Sequence, residues 1–285
     1  MEQAFVAVER LKEYTDNKLE DNWDDEDGTG QDNEWVTDGS LEFKDVSLRY
    51  RDGLDLVLKD VTFQVQGGEK IGIVGRTGAG KSSLVYALFR LMEAATGMIT
   101  IDSVNISTLR LHKLRKRITI IPQDPVLFSG TLRTNLDPSG IYPDDKLFEA
   151  LRQAHLDNFV SSLKEGLEHT IAEGGGNLSV GQRQLVCLAR ALLRKSKVLV
   201  LDEATAAVDL ETDELLQETI KKEFASSTVI TIAHRLNTIV DYDKILVLSH
   251  GKKAEFDSPQ RLLANRDSVF YAMCREAGLV KESLG

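Results

Sequence analysis

Gly75-Arg76-Thr77-Gly78-Ala79-Gly80-Lys81-Ser82 places glycine, lysine and a hydroxyl at the spacing G-x-x-x-x-G-K-[ST], a pattern suited to gripping phosphate. Its glycines let backbone N–H groups turn inward onto phosphate oxygens, and a helix starting there adds about half a positive charge. Lys81 has the charge and reach for the outer phosphates, and the Ser82 hydroxyl suits a magnesium ion. Ile71-Gly72-Ile73-Val74 ahead of the loop reads as a buried strand, and Ser83 through Leu91 behind it as a buried helix. Strand, loop and helix in that order are the context the pattern requires.

Other residues suit the same chemistry. Val198-Leu199-Val200-Leu201 is an apolar strand ending in Asp202-Glu203. A carboxylate there can help hold magnesium, which fits Asp202, and Glu203 can orient or deprotonate an attacking water. His234 ends the run Thr228 to Ala233, where an imidazole could meet a terminal phosphate. Gln123 follows Pro122, which breaks the strand Ile118–Ile121 and leaves an amide at its tip to ligate metal or bind water. Tyr50, at the end of an early strand, offers an aromatic face to a base. Ser179, Gly181 and Gln182 open a helix with an apolar face of Leu185, Leu188, Ala189, Leu192 and Leu193. Its first N–H groups and the Ser179 hydroxyl form a second anion site. Each of these could equally be structural: a turn, a capped helix, a core tyrosine or a lone histidine.

These residues need a scaffold that brings them together. The chain has 285 residues, 42% of them hydrophobic, enough for a sizeable core. Net charge is −10, but residues 21–40 hold eight acidic residues and no Lys or Arg, so the rest is nearly neutral. A polyanion-binding surface, and with it nucleic acid, is excluded as the main business of the chain. Two cysteines, Cys187 and Cys274, give neither a disulfide framework nor a metal spacing and point to a reducing compartment. Cys187 reads as buried and inert. No run of 18 apolar residues and no signal peptide occurs, so a membrane-spanning part would have to come from other polypeptide.

Residues 1–14 have helical apolar spacing, and 15–40 read as a solvated acidic linker. From Leu41 to Val65 short alternating strands predict an antiparallel sheet ahead of the phosphate loop. Further strands are expected at 98–101, 118–121, 198–201, 228–232 and 244–248, with residues 140–195 mostly helical. Strands alternating with helices predict a parallel sheet covered on both faces. A last helical stretch at about 259–276 should pack on the domain, and 281–285 form a tail.

Taken together and in order, the phosphate loop, Gln123, Leu178-Ser179-Val180-Gly181-Gln182, Asp202-Glu203, Asp209 and His234 resemble the nucleotide-binding domain of an ATP-binding-cassette transporter. The resemblance covers about residues 41–280. Arg49-Tyr50-Arg51, Ile121-Pro122-Gln123-Asp124-Pro125, Val126-Leu127-Phe128-Ser129-Gly130 and Gln182 through Arg194 are more narrowly similar to the second such domain of multidrug-resistance-associated proteins, the C subfamily. That resemblance implies a P-loop NTPase fold: a RecA-like parallel-sheet core, an antiparallel β-subdomain, and a helical subdomain inserted at about 125–195. It implies that residues 1–14 lead out of a membrane domain. It also implies ATP and Mg²⁺ as cofactors, with nucleotide on Tyr50, Gly75, Arg76, Thr77, Gly78, Ala79, Gly80, Lys81, Ser82 and Ser83. Metal would lie on Ser82, Gln123 and Asp202, and catalysis on Glu203, His234, Lys81 and Gln123.

By the same resemblance Ser179, Gly181, Gln182 and Asp209 face nucleotide across a dimer. The partners implied are the first nucleotide-binding domain and transmembrane domains of the same transporter, or a second copy, at the cytoplasmic face of a plasma or vacuolar/lysosomal membrane. Export of organic anions and conjugates is the activity implied. A nucleotide-sensing module that gates a channel, or a soluble cassette ATPase, are the other readings. Val180 departs from the family's commoner glycine and puts a Cβ at the phosphate-facing turn.

Overall fold

In the computed structural model the described residues are 2–16, 20, 35–202, 210–233 and 235–280. The chain divides into two compact units, Met1–Glu34 and Trp35–Gly285. The first contains helix α1 (Glu2–Thr15). Among the described residues no helix is long and apolar enough to cross a membrane.

The second unit opens with β1 (Leu41–Leu48), β2 (Leu58–Val65), β3 (Lys70–Val74), α2 (Lys81–Leu88), β4 (Thr96–Ile101) and β5 (Val104–Asn105). Then come α3 (Leu111–Arg117), β6 (Ile118–Ile121), β7 (Gly130–Thr131), α4 (Leu132–Leu136), α5 (Asp144–Gln153), α6 (Asp157–Ser162), β8 (Thr170–Ile171) and α7 (Val180–Arg194). The chain closes through β9 (Val198–Asp202), α8 (Leu210–Glu223), β10 (Thr228–Ile232), β11 (Lys244–Ser249), β12 (Lys252–Asp257), α9 (Pro259–Ala264) and α10 (Val269–Glu276).

The central sheet runs β12-β11-β3-β10-β9-β6, parallel except for β12. Its inner strands are mostly apolar and buried because helices and the second sheet cover both faces; Ile71, Val200, Ile232 and Leu246 are buried. Register decides what the sheet can do. Ile232 on β10 lies opposite both Ile73 on β3 and Asp202 on β9, while Ile121 on β6 lies opposite Leu201. The carboxyl ends of four strands therefore finish along one line.

A second, antiparallel sheet runs β2-β1-β4-β5. The antiparallel pair expected ahead of the phosphate loop is present, with Phe43 stacked on Phe63 across it at 4.5 Å between ring centroids. Residues 98–101 also join this sheet and not the parallel one, since Ile99 and Ile101 pair with Phe43 and Leu41 on β1. The strand after α2 thus returns to cover the first sheet. The turn after β4 carries Asp102, whose carboxylate accepts from the N–H groups of Thr37, Asp38, Gly39 and Ser40 at 2.7–3.1 Å. That contact fixes the entry into β1.

Leu147 and Leu151 of α5, Val160 of α6 and Leu185, Leu188 and Leu192 of α7 share one apolar cluster with Leu199 and Leu201 of β9. At the far end, residues 259–276 form two helices and not one. Ser258 caps α9 and Ser268 caps α10, and the Asn265 side chain accepts from Asp267 N in the turn between them. Both pack on the sheet through Leu262, Phe270 and Cys274 against Val74, Ile245 and Val247.

Candidate functional site

The phosphate loop leaves β3 and turns into α2, and backbone geometry explains its glycines. A Cβ on Gly75 would stand 2.4 Å from the Leu248 carbonyl oxygen. Gly80, the residue preceding α2, has φ +103° and would press a Cβ to 2.8 Å from Leu58. The loop lies between those two neighbours, so side chains at either position would push it off the sheet end. Arg76, Thr77 and Gly78 are exposed at the rim, whereas Ala79 is buried beneath them. Lys81 Nζ donates to Gly75 O at 2.9 Å and to Arg76 O at 3.4 Å, drawing its ammonium over the loop.

The two helix starts read as anion sites are built differently. No side chain caps the first turn of α2, so the N–H groups of Lys81, Ser82 and Ser83 point into the loop without an intrahelical acceptor. At α7, Ser179 Oγ accepts from Gln182 N at 3.1 Å and the Gln182 side chain accepts from Ser179 N at 2.9 Å, a reciprocal capping box. Gln182 is therefore committed to holding the helix end. What this start retains for an anion is the Ser179 hydroxyl hydrogen and the N–H groups of Val180 and Gly181. The Val180 side chain is partly exposed, at 37%.

Parallel strands bring the remaining residues to the same edge. Asp202 ends β9, and Gln123 is an exposed residue two positions beyond β6. With the loop after β3, these are three segments on one rim of the sheet, with the end of β10 between the loop and Asp202, and they are far apart in sequence. Glu203, Asp209 and His234 lie outside the described residues. Ser83 is buried, and its hydroxyl is 3.0 Å from that of Tyr50, whose side chain is 43% exposed.

Residues not singled out from sequence support this rim. Arg235, immediately after position 234, pairs with buried Asp213 at 3.1 Å and ties the exit of β10 to α8. Gln184 of α7 donates to Pro122 O at 3.2 Å. Arg190 donates to Val126 O at 2.7 Å and to Asn135 Oδ1 at 2.8 Å. An arginine on the apolar face of an amphipathic helix was the available signal; its partners lie 55 and 64 residues away and have no sequence signature. A groove of about 710 Å³ beside α5 and α6, lined by Arg133, Phe148, Leu163 and Lys164 among others, contains none of the site residues.

A phosphate loop at the carboxyl edge of a doubly covered parallel sheet defines a P-loop nucleotide-binding fold. The ABC transporter family profile matches residues 58–206, and the chain belongs to that family. It is a C-subfamily ATP-binding-cassette ATPase domain, 60% identical over 279 residues to ATP-binding cassette sub-family C member 3 of Mus musculus. It is also 57% identical over 278 residues to sub-family C member 2 of Rattus norvegicus. Each alignment covers 98% of this chain and 18% of the relative, so the chain spans about a fifth of the length of the curated relatives it matches. Among solved structures it superposes on a bacterial Atm1-family ABC exporter with ATP bound. The TM-score is 0.86 at 31% identity, over 97% of this chain and 48% of that one.

Proposed function

We propose that this chain binds MgATP on its phosphate loop and hydrolyses it to power export of organic anions and conjugates. It would act as one nucleotide-binding domain at the cytoplasmic face of a membrane, paired with the first nucleotide-binding domain and transmembrane domains of the same transporter, or with a second copy. The observation that carries this reading is the shared strand-end rim, which gathers Gly75–Ser83, Asp202 and Gln123 at one edge.

The donor set fits a hard divalent cation. Ser82 supplies a hydroxyl, Gln123 an amide carbonyl and Asp202 a carboxylate, all oxygen ligands of the kind magnesium takes. Bound there, the ion would neutralise charge on the phosphates. Lys81, already drawn toward Gly75, has three donor hydrogens and retains capacity for phosphate oxygens. Glu203 would orient and deprotonate the attacking water, His234 would contact the terminal phosphate, and Tyr50 would carry the adenine ring. Ser179, Gly181 and Gln182 would start a helix aimed at the nucleotide held by the partner, with Asp209 at the seam. Closing two halves excludes water and completes the site only when both meet.

ATP turnover by purified chain, measured with magnesium over a range of protein concentrations, tests this. Specific activity should rise with protein concentration. A rate per molecule that stays constant on dilution would overturn the shared site, and failure to retain nucleotide would overturn the reading as a whole.

A further inference from the structure

Gln123 is exposed, yet the main chain on either side of it is held from beneath. Three residues spaced three apart along α7, and therefore on one face, grip that segment. Gln184, wholly buried, donates Nε2 to the Pro122 carbonyl at 3.2 Å. Cys187 faces the main chain of Val126, and Arg190 donates to the Val126 carbonyl at 2.7 Å. Arg190 also donates to Asn135 Oδ1, and Asn135 in turn binds the N–H and carbonyl of Phe128 at 2.9 and 2.8 Å. The backbone is thus pinned immediately before Gln123 and again at residues 126 and 128.

Gln184 is not simply filling space. Its Oε1 is buried with no hydrogen-bond partner among the described residues, an arrangement less favourable than an apolar side chain of the same shape. Its value in this position lies in the bond it donates to Pro122.

We propose that Gln184, backed by Arg190, is a positioning residue for Gln123: by holding the Pro122 carbonyl it sets where the Gln123 amide stands relative to the metal. This rests on the reading that Gln123 faces the magnesium of MgATP. The residue directing metal binding then belongs to the helix that begins at Ser179 and not to the strand that carries Gln123. A glutamine cannot sense the metal directly from a wholly buried position, so its effect travels through one peptide unit.

The test compares calorimetric affinities for ATP with magnesium and for ATP with EDTA, on the full chain and on Q184M, Q123A and the double variant. Q184M keeps the side-chain length and removes both the donor to Pro122 and the partnerless oxygen, effects of opposite sign on stability, so the melting temperature should change little. The magnesium preference, the ratio of the two affinities, should fall about two- to tenfold, the worth of one hydrogen bond. Metal-free affinity should be unchanged, and the double variant should lose no more than Q123A alone. A wild-type preference in Q184M, or additive losses in the double variant, would overturn the inference. If Q123A itself kept the full preference, the metal reading of Gln123 would fall and take this inference with it.

Discussion

The hydroxyl of Tyr50 meets that of Ser83 at 3.0 Å, joining the segment two residues beyond β1 to the first turn of the helix behind the phosphate loop. The contact separates two jobs for one side chain: the ring is left at the surface while the hydroxyl braces the loop. If the ring carries adenine, Tyr50→Phe should keep ATP affinity within about threefold, having lost one half-buried hydrogen bond outside the ring's stacking face. Tyr50→Ala should lose about 5- to 150-fold, the range for base stacking of 1–3 kcal/mol. Equal losses in both variants, measured by calorimetry, would assign the effect to the Ser83 contact instead.

Lys81 donates to the carbonyls of Gly75 and Arg76, which leaves one ammonium hydrogen for a phosphate oxygen if nucleotide lies there. Lys81→Ala should weaken ATP binding by about 10- to 150-fold, as expected for hydrogen bonds to a charged partner. Unaltered affinity in the same titration would remove Lys81 from the site.

Glu203→Gln should behave in the opposite way. Loss of a base lowers turnover by about 10²–10⁴ and leaves ground-state binding alone. Steady-state ATPase assays beside filter binding distinguish the two, and turnover at the wild-type rate would show that another group activates the water.

Asp102 links stability to pH. Burial pushes its pKa up, but the N–H groups of Asp38, Gly39, Thr37 and Ser40 outweigh that and hold it below the ordinary carboxylate value. A depressed folded-state value means the stabilisation is fully present above the unfolded pKa of about 3.9. It is lost as pH falls through the lower folded value. Asp102→Asn should lower stability by about 2 kcal/mol at neutral pH. In urea titrations the gap from wild type should close only below about pH 4. A gap that persists into stronger acid would place the effect elsewhere.

Burial raises the thiol pKa of both Cys187 and Cys274, outweighing the opposing effects of Arg190 and the Val126 main chain at Cys187. Neither thiolate should form appreciably at neutral pH. Iodoacetamide should leave both unmodified in the native protein and label both after denaturation; rapid labelling of the native chain would contradict their packing.

The sequence was most legible where a single local motif has a physical requirement. The phosphate loop declared itself by its glycines, the β9 strand by its unbroken apolar run, and the α7 start by Ser179 and Gln182. It was less legible where partners decide. Lys252–Asp257 forms β12 at the sheet edge, with charged residues at four of its six positions and only Ala254 and Phe256 apolar, too little to mark a strand. The break at Asn265 in the last helical stretch depends on a side-chain turn within an otherwise helical pattern. Gln184, Arg190 and Asp213 act through carbonyls or charges far away in sequence, which only the folded topology brings near. Strand order was likewise hidden: nothing local to Ile71–Val74 says that β10 and β11 will flank it.

That flanking bears on how the protein is made. The phosphate-loop strand is hydrogen-bonded on one side to β10 and on the other to β11, both encoded in the final quarter of the chain. On a ribosome adding about 5–20 residues per second, the loop sequence emerges on the order of ten seconds before the strands that frame it. Through that interval β3 has two open edges of unpaired N–H and C=O groups on an apolar strand, an invitation to wrong pairing. A message cut short after β9 would yield a polypeptide with its phosphate motif intact in spelling and nothing to give it shape.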